Sequence, residues 1–113
     1  MEIRDKEFSV TYEPQTGGLR FAGVLRLMTK DYRDIQELLE QILRAAPPRL
    51  DIDLQALEMI NSSGLNTLSR FILGLRSRPQ IQVTIHGSRH VVWHTKTLTN
   101  MKHFLPSAEL VFH

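Results

Sequence analysis

The chain has 113 residues, a formal net charge of +2 and no cysteine. That length supports one apolar core without metals or disulfides, and the missing cysteines exclude a thiol nucleophile and a cysteine-based metal site. Acidic residues are interspersed with basic ones throughout, so the charge lacks the clustering a nucleic-acid groove requires.

The amino terminus, Met1-Glu2-Ile3-Arg4-Asp5-Lys6-Glu7, is too charged for a signal peptide, and no apolar run approaches membrane-spanning length. The expectation is a soluble cytoplasmic protein, one domain over residues 1–113, monomeric or weakly dimeric. Phe8, Val10 and Tyr12 alternate with Ser9 and Thr11 as a half-buried strand does. Glu13 to Gly18 is a turn cluster, and Leu19 to Leu25 resumes strand character, giving an opening hairpin. Thr29 or Asp31 is positioned to cap a helix with apolar residues Ile35, Leu38, Leu39, Ile42 and Leu43. Pro47-Pro48 ends that helix.

Arg49 to Leu54 reads as a strand, and Ser63 to about Arg76 as a helix. Ile81 to Ile85 alternates as a further strand after the break at Arg78-Pro79. A helix from about Arg89 to Phe104 follows the Gly87-Ser88 turn, and Leu110 to Phe112 forms a terminal strand. Strands and helices alternate after the hairpin, which implies right-handed crossovers and a largely parallel sheet. The fold class is α/β, doubly wound or one-sided. In such a sheet the loops Arg26–Asp31, Met59–Gly64 and His86–Arg89 are expected to cluster at the carboxyl ends of the strands.

Within that cluster, Asn61-Ser62-Ser63-Gly64-Leu65 stands between an apolar strand and an amphipathic helix. A serine there meets free backbone N–H groups and the positive end of the helix dipole. It is either an ordinary cap or a comfortable position for a phosphate.

The run Asp51 to Leu68 resembles the signature of STAS domains, the anti-sigma factor antagonist family. Asp53-Leu54 matches the family's strand end, and Ser62-Ser63-Gly64-Leu65 matches the core of its Asp-Ser-Ser-Gly-Leu-Gly motif. The order of the remaining elements also agrees. The resemblance implies a phosphorylation-controlled binding module of bacterial partner switching. Its partner would be a serine kinase or anti-sigma factor, bound when Ser62 is unphosphorylated, with a serine phosphatase as a possible second partner. Ser62 is then the phosphoacceptor, while Arg26, Lys30, Asp31, Asn61, Ser63, Gly64, Ser88 and Arg89 face the partner. Asn61 replaces the family's acid before the serine, and Arg26 stands where an acid is common at the end of the second strand. Since asparagine and aspartate cap equally well, Asn61→Asp is expected to change stability by less than about 1 kcal/mol. The alternative reading is an unphosphorylated STAS scaffold that docks a kinase or sensor in a larger signalling assembly.

Other constellations are incomplete. His90 and His94 are spaced to share a helix face, but no further ligand completes a zinc site. A Ser62 or Ser63 nucleophile with His86 as base lacks both the Gly-x-Ser-x-Gly elbow and an orienting acid. Gly17-Gly18 lacks the lysine and spacing of a phosphate loop. Trp93 and Phe104 are expected to pack the last helix on the sheet; Arg76, Arg78, Lys96 and Lys102 read as solvated. No enzyme activity, cofactor, metal, nucleic-acid or membrane partner is expected.

Overall fold

Leu50, Ile52 and Leu54 are buried while Asp51, Asp53 and Gln55 between them stay half-exposed, so this strand has one dry face and one wet face. The computed structural model, which describes residues 1–113, shows the same division across the whole sheet. The strands are β1 (Glu2–Arg4), β2 (Phe8–Glu13), β3 (Gly18–Leu25), β4 (Arg49–Ile60), β5 (Gln82–Gly87) and β6 (Glu109–Phe112). They lie side by side in chain order. β1, β2 and β3 pair antiparallel, and β3 to β6 pair parallel. The α/β class, the opening hairpin and the mostly parallel sheet are those anticipated.

The helices are α1 (Arg33–Ala45), α2 (Ser62–Leu75) and α3 (His94–Phe104). Each crossover steps to the next strand in the same direction. Right-handed crossovers that all step one way deposit their helices on one face of the sheet. The layers are accordingly two, with α1 against α2 and α2 against α3. Between them lie Val10, Leu19, Phe21, Ile52, Leu54 and Ile85 from the sheet, met by Ile35, Leu39, Leu68, Ile72 and Leu98 from the helices. Each such side chain contributes about 1.5–3 kcal/mol when taken fully from water. No helix is long and apolar enough to cross a membrane.

Gly17 closes the hairpin at φ +78°, where a Cβ would stand 2.2 Å from the Arg49 carbonyl oxygen. Only glycine fits both the dihedral and the space. At the end of α1, Ala46 takes the left-handed conformation and returns its N–H to Ile42, before Pro47-Pro48 redirects the chain.

Several boundaries differ from those the sequence suggests. β4 runs on to Ile60, six residues past Leu54, because it carries two bulges opposite β3: Arg20 and Ala22 face Asp53 and Ala56, then Gly23 and Val24 face Leu57 and Met59. Each extra residue resets the inside–outside alternation, so the pattern loses its period while the strand continues. α1 has no Thr29 or Asp31 cap; a 3-10 turn over Thr29–Tyr32 leads directly into Arg33. α3 starts at His94, with residues 89–93 folded as turns. β1 is an added edge strand in a charged segment. Phe104 is exposed, and Arg78 donates from Nε to the Leu43 carbonyl at 2.5 Å instead of lying free in solvent.

Candidate functional site

The extension of β4 delivers Asn61 to the start of α2, and its side chain fixes the local geometry. Oδ1 accepts from the Gly64 amide at 2.9 Å and from the Tyr32 hydroxyl at 2.6 Å. Nδ2 donates to the Leu27 carbonyl at 2.8 Å. The backbone joins in: Asn61 N–H donates to Leu25 O, and Leu65 N–H to Asn61 O. Asn61 is therefore the N-cap, worth about 1 kcal/mol, and neither serine takes that part. The amide is also the clamp between α2 and the segment after β3. Both its oxygen and its nitrogen are used, and a carboxylate has no N–H for Leu27. Aspartate is thus not equivalent here, contrary to the expectation from capping alone.

Tyr32 is 1% exposed, and burial raises the pKa of its phenol, partly offset by the nearby Leu27 backbone. It stays a hydrogen-bond donor at neutral pH. Gly64 follows from the same clamp: a Cβ there would stand 2.6 Å from the Tyr32 hydroxyl and 2.6 Å from Ile60 Cγ1. The Ser-Ser-Gly sequence needs its glycine for close approach.

With the cap supplied by Asn61, Ser62 is exposed at the first turn of α2 and its hydroxyl makes no hydrogen bond to the protein. Ser63 is half-buried, its Oγ 2.8 Å from Thr29 Oγ1. The amides of Ser62 and Ser63 precede the intrahelical ladder and point out along the helix axis. Around them, Met28 and Met59 are 68% and 52% exposed, and Thr29, Lys30 and Asp31 are exposed as well. Apolar, neutral polar and singly charged groups thus share one end of the molecule.

Arg26 is also at this end but occupied. Its guanidinium donates to both carboxylate oxygens of Glu7, at 2.5 and 2.9 Å. Those hydrogen bonds lower the Glu7 pKa and raise that of Arg26. Arg26 consequently presents a neutralised pair.

The third expected loop leaves the sheet earlier than the other two. β5 ends at Gly87, one residue beyond the His86–Asp53 pairing, whereas β4 continues to Ile60. Ser88 and Arg89 therefore leave the sheet beside the middle of β4, short of Asn61. Ser88 serves its own turn: its Oγ accepts from His90 N–H, and its N–H donates to His94 Nδ1 at 2.9 Å. His94 is fully buried and donates from Nε2 to the Leu57 carbonyl at 2.8 Å. Both its ring nitrogens are engaged, and His90 is on an exposed turn outside α3, so the two histidines do not share a helix face. Trp93 is half-buried beside them, its indole N–H on Glu58 O at 2.8 Å. His86 bonds Asp51 and His113 on the helix-free face, remote from both serines.

Leu27, Met28 and Met59 lie in segments expected at this end without being singled out there, and Tyr32 lies outside those segments. The available signal was a methionine in each segment, Met28 before Thr29 and Met59 two residues before Asn61.

The same fold occurs in SiaC of Pseudomonas aeruginosa, with a TM-score of 0.77 at 15% identity, over 100% of this chain and 98% of that one. It occurs again in a chain of the crystal structure of the diguanylate cyclase SiaD in complex with its activator SiaC, from the same organism. There the TM-score is 0.78 at 14% identity, covering 100% of this chain and 99% of the other. Likeness at this identity is a likeness of fold. No protein-family model matches the chain, and no curated protein matches it.

Proposed function

We propose that this chain is a STAS-like docking regulator, a protein without chemistry of its own that binds and controls a signalling protein through the start of α2. The observation that supports the reading is the Leu27–Tyr32–Asn61 clamp at the start of α2, beside which Ser62, Met28 and Met59 are all exposed. A preformed surface loses little conformational freedom on binding. The methionines offer adaptable apolar contact, and the free amides of the first turn offer donors. SiaC, which shares the fold, is described as the activator of a diguanylate cyclase and is found in complex with it. By that analogy of fold, the partner class is a signalling enzyme or sensor, with a nucleotide cyclase or a serine kinase as its first candidates.

A second reading is favoured by one specific observation, the unbonded hydroxyl of Ser62. This is the phosphorylation-controlled form, in which a serine kinase or anti-sigma factor modifies Ser62 and a phosphatase restores it. A phosphate would add about −1.5 to −2 charge at a helix terminus that accommodates anions. The fold would stand unchanged, and the bound partner would instead have to bury an uncompensated charge, at several kcal/mol.

The test is calorimetric titration of the diguanylate cyclases and serine kinases of the same genome, one by one, with wild type, Ser62→Asp and Met28→Glu/Met59→Glu. The docking reading expects one of them to bind wild type and to lose at least tenfold in affinity with the methionine double variant. Equal binding by that variant removes the proposed surface. The switch reading expects Ser62→Asp to lose affinity too, with an unchanged melting curve; retained binding leaves the scaffold alone.

A further inference from the structure

β6 ends the sheet, paired with β5 on one side and with no strand on the other. Along a strand the N–H and C=O of one residue point to the same side, and that side alternates from residue to residue. His113 continues the ladder, its N–H on Gly87 O and its own carbonyl accepting from Arg89 N–H. Val111 and Glu109 therefore also turn their backbone groups towards β5. Leu110 and Phe112 turn theirs outwards, where no strand meets them.

Natural sheets defend an open edge with charge, proline or a bulge. The opposite edge has charge: β1 carries Glu2 and Arg4, ion-paired at 2.9 Å. Leu110, Val111 and Phe112 have none of these devices, their register with β5 is unbroken, and all three are half-buried. Leu110 and Phe112 share the helix face with their buried β5 partners Ile85 and Gly87. Val111 is then on the open face with Glu109 and His113, where His113 meets His86. A second copy of this edge, laid antiparallel, complements it. Only the register with Leu110 opposite Phe112 of the second copy uses every outward group, two N–H and two C=O on each chain. The same register sets Val111 against Val111 on a two-fold axis and Glu109 against His113, an acid against a base. Every cross-strand pair is thus apolar with apolar or acid with base.

We infer that β6 is a homodimerisation edge, at which two copies pair antiparallel about a two-fold axis through Val111 and join their sheets into one. The ladder is short, so the dimer is weak and reversible. The start of α2 follows β4, inward of this edge, and stays free. Antiparallel pairing turns the two α2 ends of the dimer opposite ways along the strands.

The experiment is sedimentation equilibrium of the full chain from about 10 μM to about 1 mM, a span that covers weak dimers. It uses wild type, Val111→Lys, His113→Glu and His113→Glu/Glu109→Lys, with amide hydrogen exchange of wild type at both ends of the range. Wild type should pass from monomer to dimer. Val111→Lys sets two ammonium groups together on the axis and should weaken association at least about tenfold, its side chain standing on the open face outside the core. His113→Glu opposes Glu109 with a like charge and should weaken association, and the added Glu109→Lys should restore it. The Leu110 and Phe112 amides should slow in exchange as concentration rises, whereas that of Val111, already bonded to β5, should not change. Wild type that stays monomeric throughout overturns the inference, as does a dimer that Val111→Lys leaves intact. Concentration-dependent protection at residues 27–31 and 61–65 in place of 110 and 112 would assign the dimer to the α2 end and overturn it too. So would a dimer that the exchanged charges fail to restore, because its strands would pair in another register. Melting curves at 10 μM show whether each variant is folded, and the doubly exchanged variant carries the test of register independently of Val111→Lys.

Discussion

Asn61 carries three hydrogen bonds on one side-chain amide, and two of them reach residues about thirty positions earlier. Replacement by aspartate keeps the cap to Gly64 but sets a carboxylate oxygen against the Leu27 carbonyl and leaves that carbonyl without its donor. The loss is about 1–3 kcal/mol for the unsatisfied group, and the helix dipole returns roughly 0.3–1 kcal/mol. Asn61→Asp is expected to destabilise by about 1–2 kcal/mol, read from the urea midpoint at pH 7. An unchanged midpoint would mean that the clamp to Leu27 contributes nothing. The motif around Asn61 was legible from residue types and spacing. The clamp was not, because a hydrogen bond between segments so distant leaves no local pattern.

At the scale of elements, the first turn of α2 packs against both Ile60 and Tyr32, and the two glycines of the helix respond differently to a methyl group. Alanine ordinarily gains up to about 1 kcal/mol over glycine within a helix. At Gly64 that methyl meets Tyr32 Oη and Ile60 Cγ1 at 2.6 Å, groups that the clamp and the strand hold in place. At Gly74 the only tight approach is to Leu43 Cδ1 at 2.7 Å, the far end of a partly buried, flexible side chain. Gly64→Ala is expected to cost about 1–3 kcal/mol from overpacking, whereas Gly74→Ala is neutral or stabilising by up to about 1 kcal/mol. Denaturant melts of the pair check this, and equal effects would deny the close approach at Gly64. Sequence periodicity located β2, β3, α1, α2 and β5 because each keeps one phase from end to end. It stopped short on β4, where two bulges reset the phase, and it ran α3 too far back, since turn residues 89–93 contain Val91, Val92 and Trp93 in a run that imitates a helix.

Over the whole molecule, helices on one face leave three distinct surfaces: the polar open sheet, the helical layer, and the end where β3 and β4 meet α2. Only that end combines exposed methionines, free first-turn amides and a hydroxyl without a partner. The Asp51–His86–His113 chain was invisible in the sequence because Asp51 and His86 come from neighbouring strands and His113 lies just beyond β6. The proposed docking at the α2 end requires no rearrangement of the core, so its signature is local. Hydrogen exchange of the chain, free and saturated with the signalling protein that binds it, reads this directly. The amides of Ser62 and Ser63, open in the free protein, and those of the Leu27–Asp31 segment should become protected in the complex. Protection confined to β5, β6 and the open sheet face, with residues 27–31 and 61–65 exchanging as before, would contradict the account.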